Sequence, residues 1–223
     1  EAALASDVRR YVFMSTSETY NTPTHVPTTE AERLMIPDVT NPRFSYGGGK
    51  LTGELLTLHL GARRGLESVI IRPHNIYGPD MGFAHVIPEV VARIIRMTDG
   101  LSSSELDLPI QGDGSETRAF CYIDDGARGT RIAGEEGASG EIYHLGREEE
   151  VSIKDLIIGI GACLGVAINI VPGPLREGGT RRRCPATAKL EGLGYASAFD
   201  LATGLERTVA WYRDWYLTHG VDS

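Results

Sequence analysis

Lysine is scarce in this chain of 223 residues: Lys50, Lys154 and Lys189 are the only three among 22 basic residues, against 30 acidic ones, for a formal charge of -8. That balance argues against general nucleic-acid binding, which draws much of its affinity from basic surface meeting phosphates. Cysteine is as sparse. Cys121, Cys163 and Cys184 show neither paired metal-ligand spacing nor an even disulfide framework, so we read them as reduced thiols and expect no metal site. No apolar run approaches the roughly 18 residues that cross a bilayer, and no charged-then-apolar leader opens the chain. The expectation is a soluble, cytoplasmic protein with no membrane or nucleic-acid partner.

What is present suits a folded enzyme. A hydrophobic fraction of 41% can build one sizeable core, or a large and a small lobe, and no repeat or low-complexity tract interrupts it. Glu1-Ala2-Ala3-Leu4-Ala5 reads as the end of a helix feeding a buried strand at 11–16. Residues 17–45 form a long loop punctuated by Pro23, Pro27, Pro37 and Pro42. A helix over 46–64, a β-branched strand over 68–72 and a helix over 85–97 follow. Strand alternating with helix predicts an α/β fold with a parallel sheet. Further strands are expected near 108–111, 119–123 and 141–145, with helices near 124–134, 152–164 and 201–216. The glycine series Gly159, Gly161, Gly165 lies inside a helical pattern, with Leu156, Ile157 and Ile160 at helical spacing, so it is not a phosphate-binding turn.

The most specific chemistry lies in Tyr46-Gly47-Gly48-Gly49-Lys50. A tyrosine and a lysine four apart share one helix face, where the ammonium can favour the phenolate and make the phenol a base. Shifting a phenol from its ordinary pKa of ~10 to near neutrality takes roughly 4 kcal/mol of preferential anion stabilisation. The three glycines make a costly helix start, each disfavoured by about 1 kcal/mol relative to alanine, and suggest close backbone approach there.

Several ordered motifs surround that pair: Ser15-Thr16-Ser17-Glu18 after the first strand, Tyr46 and Lys50 leading into Leu51 and Gly53-Glu54, then Arg72-Pro73-His74-Asn75-Ile76-Tyr77-Gly78-Pro79. Gly112-Asp113-Gly114, Arg118, Tyr122-Ile123-Asp124-Asp125, Arg182-Arg183-Cys184-Pro185 and Leu193-Gly194-Tyr195 continue the order across nearly the whole chain. The sequence thereby resembles the extended short-chain dehydrogenase/reductase family, in its NAD-dependent epimerase/dehydratase group, which modifies sugars carried on nucleotides.

The resemblance implies a partial Rossmann-like parallel sheet at 1–107 and a smaller lobe at 108–223 that mainly binds the sugar nucleotide, with some segments interleaved. It also implies that a GxxGxxG turn and the first strands precede residue 1, so the chain is expected to be an N-terminally truncated fragment that binds NAD poorly by itself. Without that turn and its ribose-reading residue, NAD is not distinguished from NADP. Tyr46 becomes the general base that takes a sugar hydroxyl proton while hydride leaves for NAD; Lys50 holds the nicotinamide ribose, and Pro73 joins them as a cofactor contact. Thr16 bonds the reacting hydroxyl. Ser17 and Glu18 offer a second catalytic pair, resembling the pattern in nucleotide-sugar decarboxylases, whereas 4,6-dehydratases usually carry Asp-Glu. Asn75, Arg118 and Arg183 are implied to bind substrate, the arginines through diphosphate, which suits a planar guanidinium fork. The leading expectation is a 4-epimerase working through a 4-keto intermediate as a homodimer. A decarboxylase or 4,6-dehydratase, and a binding fragment without catalysis, are the alternatives. Two departures from the family stand out: Gly49 in place of serine or alanine, and His144 where many relatives have asparagine.

Overall fold

A computed structural model describes residues 2–6, 8–174 and 180–221. In chain order its elements are α1 (Ala2–Ala5), β1 (Arg10–Met14), α2 (Ser45–Leu55), β2 (Glu67–Pro73), β3 (Ile76–Tyr77), α3 (Val86–Met97), β4 (Glu105–Ile110), β5 (Thr117–Ala119), β6 (Cys121–Tyr122), α4 (Ile123–Glu136), β7 (Ile142–Leu145), β8 (Glu150–Ser152), α5 (Ile153–Cys163), β9 (Ala167–Pro172), β10 (Arg182–Arg183), α6 (Ala188–Glu191) and α7 (Leu201–His219). The helical reading of Ala2–Ala5 matches α1, and Glu1 lies outside the described residues. The helix expected over 46–64 is α2 running into a π-helical segment, Leu56–Gly61. The long loop carries two 3-10 turns, Ser17–Tyr20 and Pro42–Phe44.

Two units divide the chain. The first takes Glu1–Ile76, Asp124–Glu149 and Arg183–Ala198; the second takes Tyr77–Ile123, Glu150–Arg182 and Phe199–Ser223. Residue 107 falls within β4, in the second unit, and the chain first changes unit after Ile76. The physical reason is α3, whose apolar face (Ile87, Val91, Ile94) is buried with Leu156, Ile160, Val209 and Tyr212 of α5 and α7.

The first unit holds an all-parallel sheet in the order β1-β2-β7. Tyr11 stands opposite Ser68, Phe13 opposite Ile70, and Ile71 opposite Tyr143. Central β2 is covered on both faces, as its run of Val69, Ile70 and Ile71 demands, all three being fully buried. In this sheet β1 is an edge, and its Tyr11 and Met14 stay partly exposed. Helix α2 packs on β1 at Gly53, where a Cβ would come within 2.2 Å of the Phe13 ring.

In the second unit β4 pairs with β9 in parallel and β5 with β8 antiparallel. Strand β9 escaped the sequence reading although Ala167-Ile168-Asn169-Ile170-Val171 is β-rich, because it follows α5 after a turn of three residues. The glycine series is helical: α5 spans Ile153–Cys163, and at Gly161 a Cβ would strike Ile168 at 2.3 Å. Gly161 serves helix–strand packing.

Candidate active site

Parallel strands end together, and the chain leaving β1 and β2 carries most of the candidate residues. The Ser15 amide donates to the Ile71 carbonyl at 2.7 Å, extending the pairing past β1, and the His74 amide donates to Leu145 at 2.8 Å. Thr16 follows with extended backbone (φ -163°), and its Oγ1 accepts the Glu18 amide at 3.2 Å, capping the 3-10 turn. Because that hydroxyl accepts, its proton remains for a further acceptor. Ser17 is buried beside it, while the Glu18 side chain is nearly half exposed.

Helix α2 brings Tyr46 and Lys50 to one face. The Lys50 ammonium donates to the Met14 carbonyl at 2.6 Å and lies 5.9 Å from the Tyr46 ring centroid and 5.5 Å from that of Phe13. Tyr46 is 55% exposed, so the phenol is open to a ligand. The glycines now differ in meaning. A Cβ at Gly47 would sit 3.1 Å from the Glu18 carbonyl oxygen, so this glycine lets the helix start lie directly on the 3-10 turn; at Gly49 nothing stands within 4 Å.

Arg183 and Glu18 form an ion pair, Nη1 to Oε1. Thr28 prepares it: the Thr28 amide donates to the Cys184 carbonyl at 2.8 Å and the Ala186 amide to the Thr28 carbonyl at 2.7 Å, tying the long loop to the segment after Arg183. Pro73 is the last residue of β2, opposite Leu145. Asn75 adopts φ 40°, a left-handed conformation that asparagine tolerates better than most residues, so its place has a backbone reason as well as a chemical one. Arg118 belongs to the second unit, where its guanidinium donates to the carbonyls of Thr117 (2.7 Å), Thr180 (2.8 Å) and Arg181 (3.3 Å). The structure thus gathers Thr16, Ser17, Glu18, Tyr46, Lys50, Pro73, Asn75 and Arg183 in one unit and Arg118 in the other.

Behind this surface runs a buried polar chain that the sequence reading passed over. Glu54 Oε1 accepts from Ser15 Oγ and from Arg72 Nε (2.8 Å), and Glu54 Oε2 from Arg72 Nη2 (2.6 Å). Arg72 Nη1 donates to the Tyr20 hydroxyl at 2.5 Å, which in turn reaches His144 Nε2 at 2.6 Å. Since Tyr20 accepts from the guanidinium, it donates to Nε2, and the His144 Nδ1 proton goes to the Ala186 carbonyl at 3.2 Å. Burial, opposed by Arg72, pushes the Tyr20 phenol up to about 12. Burial likewise lowers His144 to about 4, against the pull of the Glu30 carboxylate. His74, 1% exposed, has no hydrogen-bond partner at either ring nitrogen among the described residues, and burial with His144 beside it holds its pKa well below the ordinary value. Both imidazoles are neutral core groups. The signal for the chain was available: Tyr46, Lys50 and Glu54 are spaced by four along one helix face, and Arg72 directly follows the apolar run Val69-Ile70-Ile71.

The model of the NAD dependent epimerase/dehydratase family matches residues 1–146. The chain belongs to that family. Among its relatives, a dTDP-glucose 4,6-dehydratase of Streptomyces antibioticus is 32% identical over 216 residues, covering 96% of this chain and 60% of that protein. A UDP-N-acetyl-alpha-D-glucosaminuronate decarboxylase of Bacillus cytotoxicus is 30% identical over 216 residues, covering 92% and 64%. The solved dTDP-glucose 4,6-dehydratase double mutant of Streptomyces venezuelae, with NAD bound, superposes with a TM-score of 0.79 at 29% identity, over 97% of this chain and 63% of that one. The chain therefore spans about three fifths of the length of these relatives, and its parallel α/β architecture is theirs. The family's NAD fits the residues present at one end: an ammonium and an exposed phenol stand at the carboxyl ends of parallel strands, where ligands of open α/β sheets gather. Among the described residues no glycine-rich turn follows a strand and opens a helix, so these residues offer the pyrophosphate no such cradle.

Proposed function

We propose that this family member oxidises a nucleotide-linked sugar at C4 and then uses Glu18 for a second proton transfer at C5, in a reaction that expels a small group from the 4-keto sugar. The observation that carries the reading is the Glu18 carboxylate, paired with Arg183, in the 3-10 turn that Thr16 caps and with its own backbone against Gly47 of the Tyr46 helix. A plain C4 inversion needs no such second acid–base group, and there the same carboxylate would only bind substrate or cap the turn; the dehydratase and decarboxylase relatives support the further step.

Tyr46 takes the proton of the C4 hydroxyl, and Thr16, its oxygen already accepting from the Glu18 amide, offers its own proton to the same alcohol. Lys50 would hold the ribose of the cofactor and adds positive charge beside the phenol. The chemistry that bound NAD would supply is a hydride acceptor for C4. The C4 ketone would supply the electron sink: as carbon dioxide leaves, the C5–C6 electron pair passes to the ketone oxygen as an enolate and Glu18 returns a proton to C5, whereas in loss of water Glu18 would take the C5 proton as the C6 hydroxyl departs. Ser17 has no carboxylic proton to give a departing hydroxide, which favours loss of carbon dioxide from a sugar carboxylate over loss of water. Arg183 would bind the diphosphate, and Asn75 would bind elsewhere on the nucleotide sugar.

The 4,6-dehydratase relatives support loss of water as the second reading within this class. The 4-epimerase reading keeps support of its own: a solved UDP-glucose 4-epimerase of Thermotoga maritima, at 25% identity and a TM-score of 0.79, covers 96% of this chain and 66% of that one. The test is product mass. The full gene product, given NAD and a panel of UDP-, GDP- and dTDP-sugars and their uronic acids, is expected to release carbon dioxide or water; an unchanged mass with inverted C4 rejects the proposal. Tyr46→Phe should lower turnover by roughly 10²–10⁴-fold. Residues 1–223 by themselves are expected to bind NAD weakly, and tight binding in a calorimeter would contradict this. Leu55 and Leu56, each more than half exposed, suit a homodimer contact through α2, which sedimentation can check.

A further inference from the structure

The buried Glu54–Arg72 pair calls for a reason beyond stability. Both side chains are 3% exposed or less, and removing two charges from water costs so much that an apolar pair of similar volume often serves a fold as well or better. What an apolar pair cannot do is aim. Arg72 spends Nε and Nη2 on the two oxygens of Glu54 and Nη1 on the Tyr20 hydroxyl, with its guanidinium carbon 5.0 Å from the Tyr20 ring centroid. Each of those partners belongs to a segment carrying a candidate acting group. Glu54 lies on α2, four residues after Lys50 and eight after Tyr46, and takes the hydroxyl of Ser15, the neighbour of Thr16. Tyr20 closes the 3-10 turn that bears Ser17 and Glu18.

We infer that Glu54 and Arg72 are positioning residues: one planar, charge-assisted pair fixes the Tyr46–Lys50 helix, the Thr16 strand end and the Glu18 turn against one another. Their importance to turnover rests on the proposed roles of Tyr46 and Glu18, but the geometric claim can be tested without cofactor or substrate. The pair holds α2 so that Lys50 reaches the Met14 carbonyl. Releasing it should free the Lys50 amine.

The chain's three lysines make that measurable by mass spectrometry after brief acylation with an amine-directed reagent. Lys189, bonded to Glu141 (2.6 Å) and to the Ile142 carbonyl (2.7 Å), and Lys154 on α5 serve as internal references. In a Glu54→Met, Arg72→Met double variant of residues 1–223, Lys50 should label roughly tenfold faster relative to both references, the loss of one hydrogen bond to a charged donor. Arg72→Lys keeps the charge beside Glu54 but not the fork, and should give a smaller rise in the same direction, roughly threefold. If the double variant fails to fold, the Arg72→Lys variant decides. Unchanged Lys50 labelling in a folded variant overturns the inference, as does a uniform rise at all three lysines, which reports general loosening. Failure of both variants to fold would make the pair a stabilising element and also overturn it. A negative product assay, by contrast, would strike the proposed reaction and leave this result standing.

Discussion

The two units bury different chemistry. In the second, the core is apolar and aromatic: among the described residues its buried threonines, Thr98 and Thr208, return their hydroxyls to their own helices at the Ile94 and Gly204 carbonyls, and the Tyr77 and Tyr212 hydroxyls each reach a backbone carbonyl, of Leu201 and Gly82. In the first, buried Ser15, Glu54, Arg72 and His144 bond across segments far apart in sequence. Apolar packing is non-directional and tolerates repacking, whereas a satisfied polar chain holds its members at set angles. The unit that carries the candidate catalytic groups is the one whose core holds a connected, charged chain of side-chain bonds.

Single substitutions should expose that difference most strongly. Arg72→Met alone leaves the Glu54 carboxylate buried without its cation and is expected to cost about 3–5 kcal/mol. Adding Glu54→Met should recover most of this loss. In the second unit Leu156→Ala, which only opens a cavity, should cost about 2–5 kcal/mol with no second-site recovery from a polar change. Urea unfolding of the four proteins checks the set.

Acid should find the first unit next. His144 is lowered in the fold to about 4 from its ordinary 6.5, so the unfolded chain binds a proton first as pH falls. The stability it contributes is therefore complete above about pH 6.5 and is lost as pH drops toward 4, about 3 kcal/mol in all. The groups facing it, Tyr20, Arg72, Glu30 and His74, share that environment. His144→Asn should make the profile shallower in this window, with buried His74 supplying the remaining slope, while substitution of Thr98 or Thr208 should leave its shape alone.

Much of this was legible in the sequence where one pattern had one physical cause. The β-branched run at 69–71 had to be a strand, and Tyr46 with Lys50 had to share a helix face. Glu54 and Arg72 stood in the quoted motifs but were given no task, because a buried ion pair is defined by a partner 18 residues away and not by any local period. The change of unit after Ile76 has no local signature for a similar reason. The amphipathic pattern of α3 shows that one face is buried, but not that α5 and α7 bury it.

The smallest effect separates two neighbouring glycines. Gly49→Ala meets nothing within 4 Å and should stabilise α2 by up to about 1 kcal/mol. Gly47→Ala places its methyl 3.1 Å from the Glu18 carbonyl oxygen, so the same propensity gain should be cancelled by displacement of the turn. Thermal melts of the two variants, side by side, resolve this.

The central claim is that Tyr46, supported by Lys50, opens the reaction by removing a sugar hydroxyl proton. Near-ultraviolet absorbance of reduced nicotinamide, followed after mixing the full gene product and NAD with nucleotide sugars, tests it most directly. The account predicts a transient rise with the correct sugar that Tyr46→Phe abolishes; a rise of equal rate and size in Tyr46→Phe would contradict it.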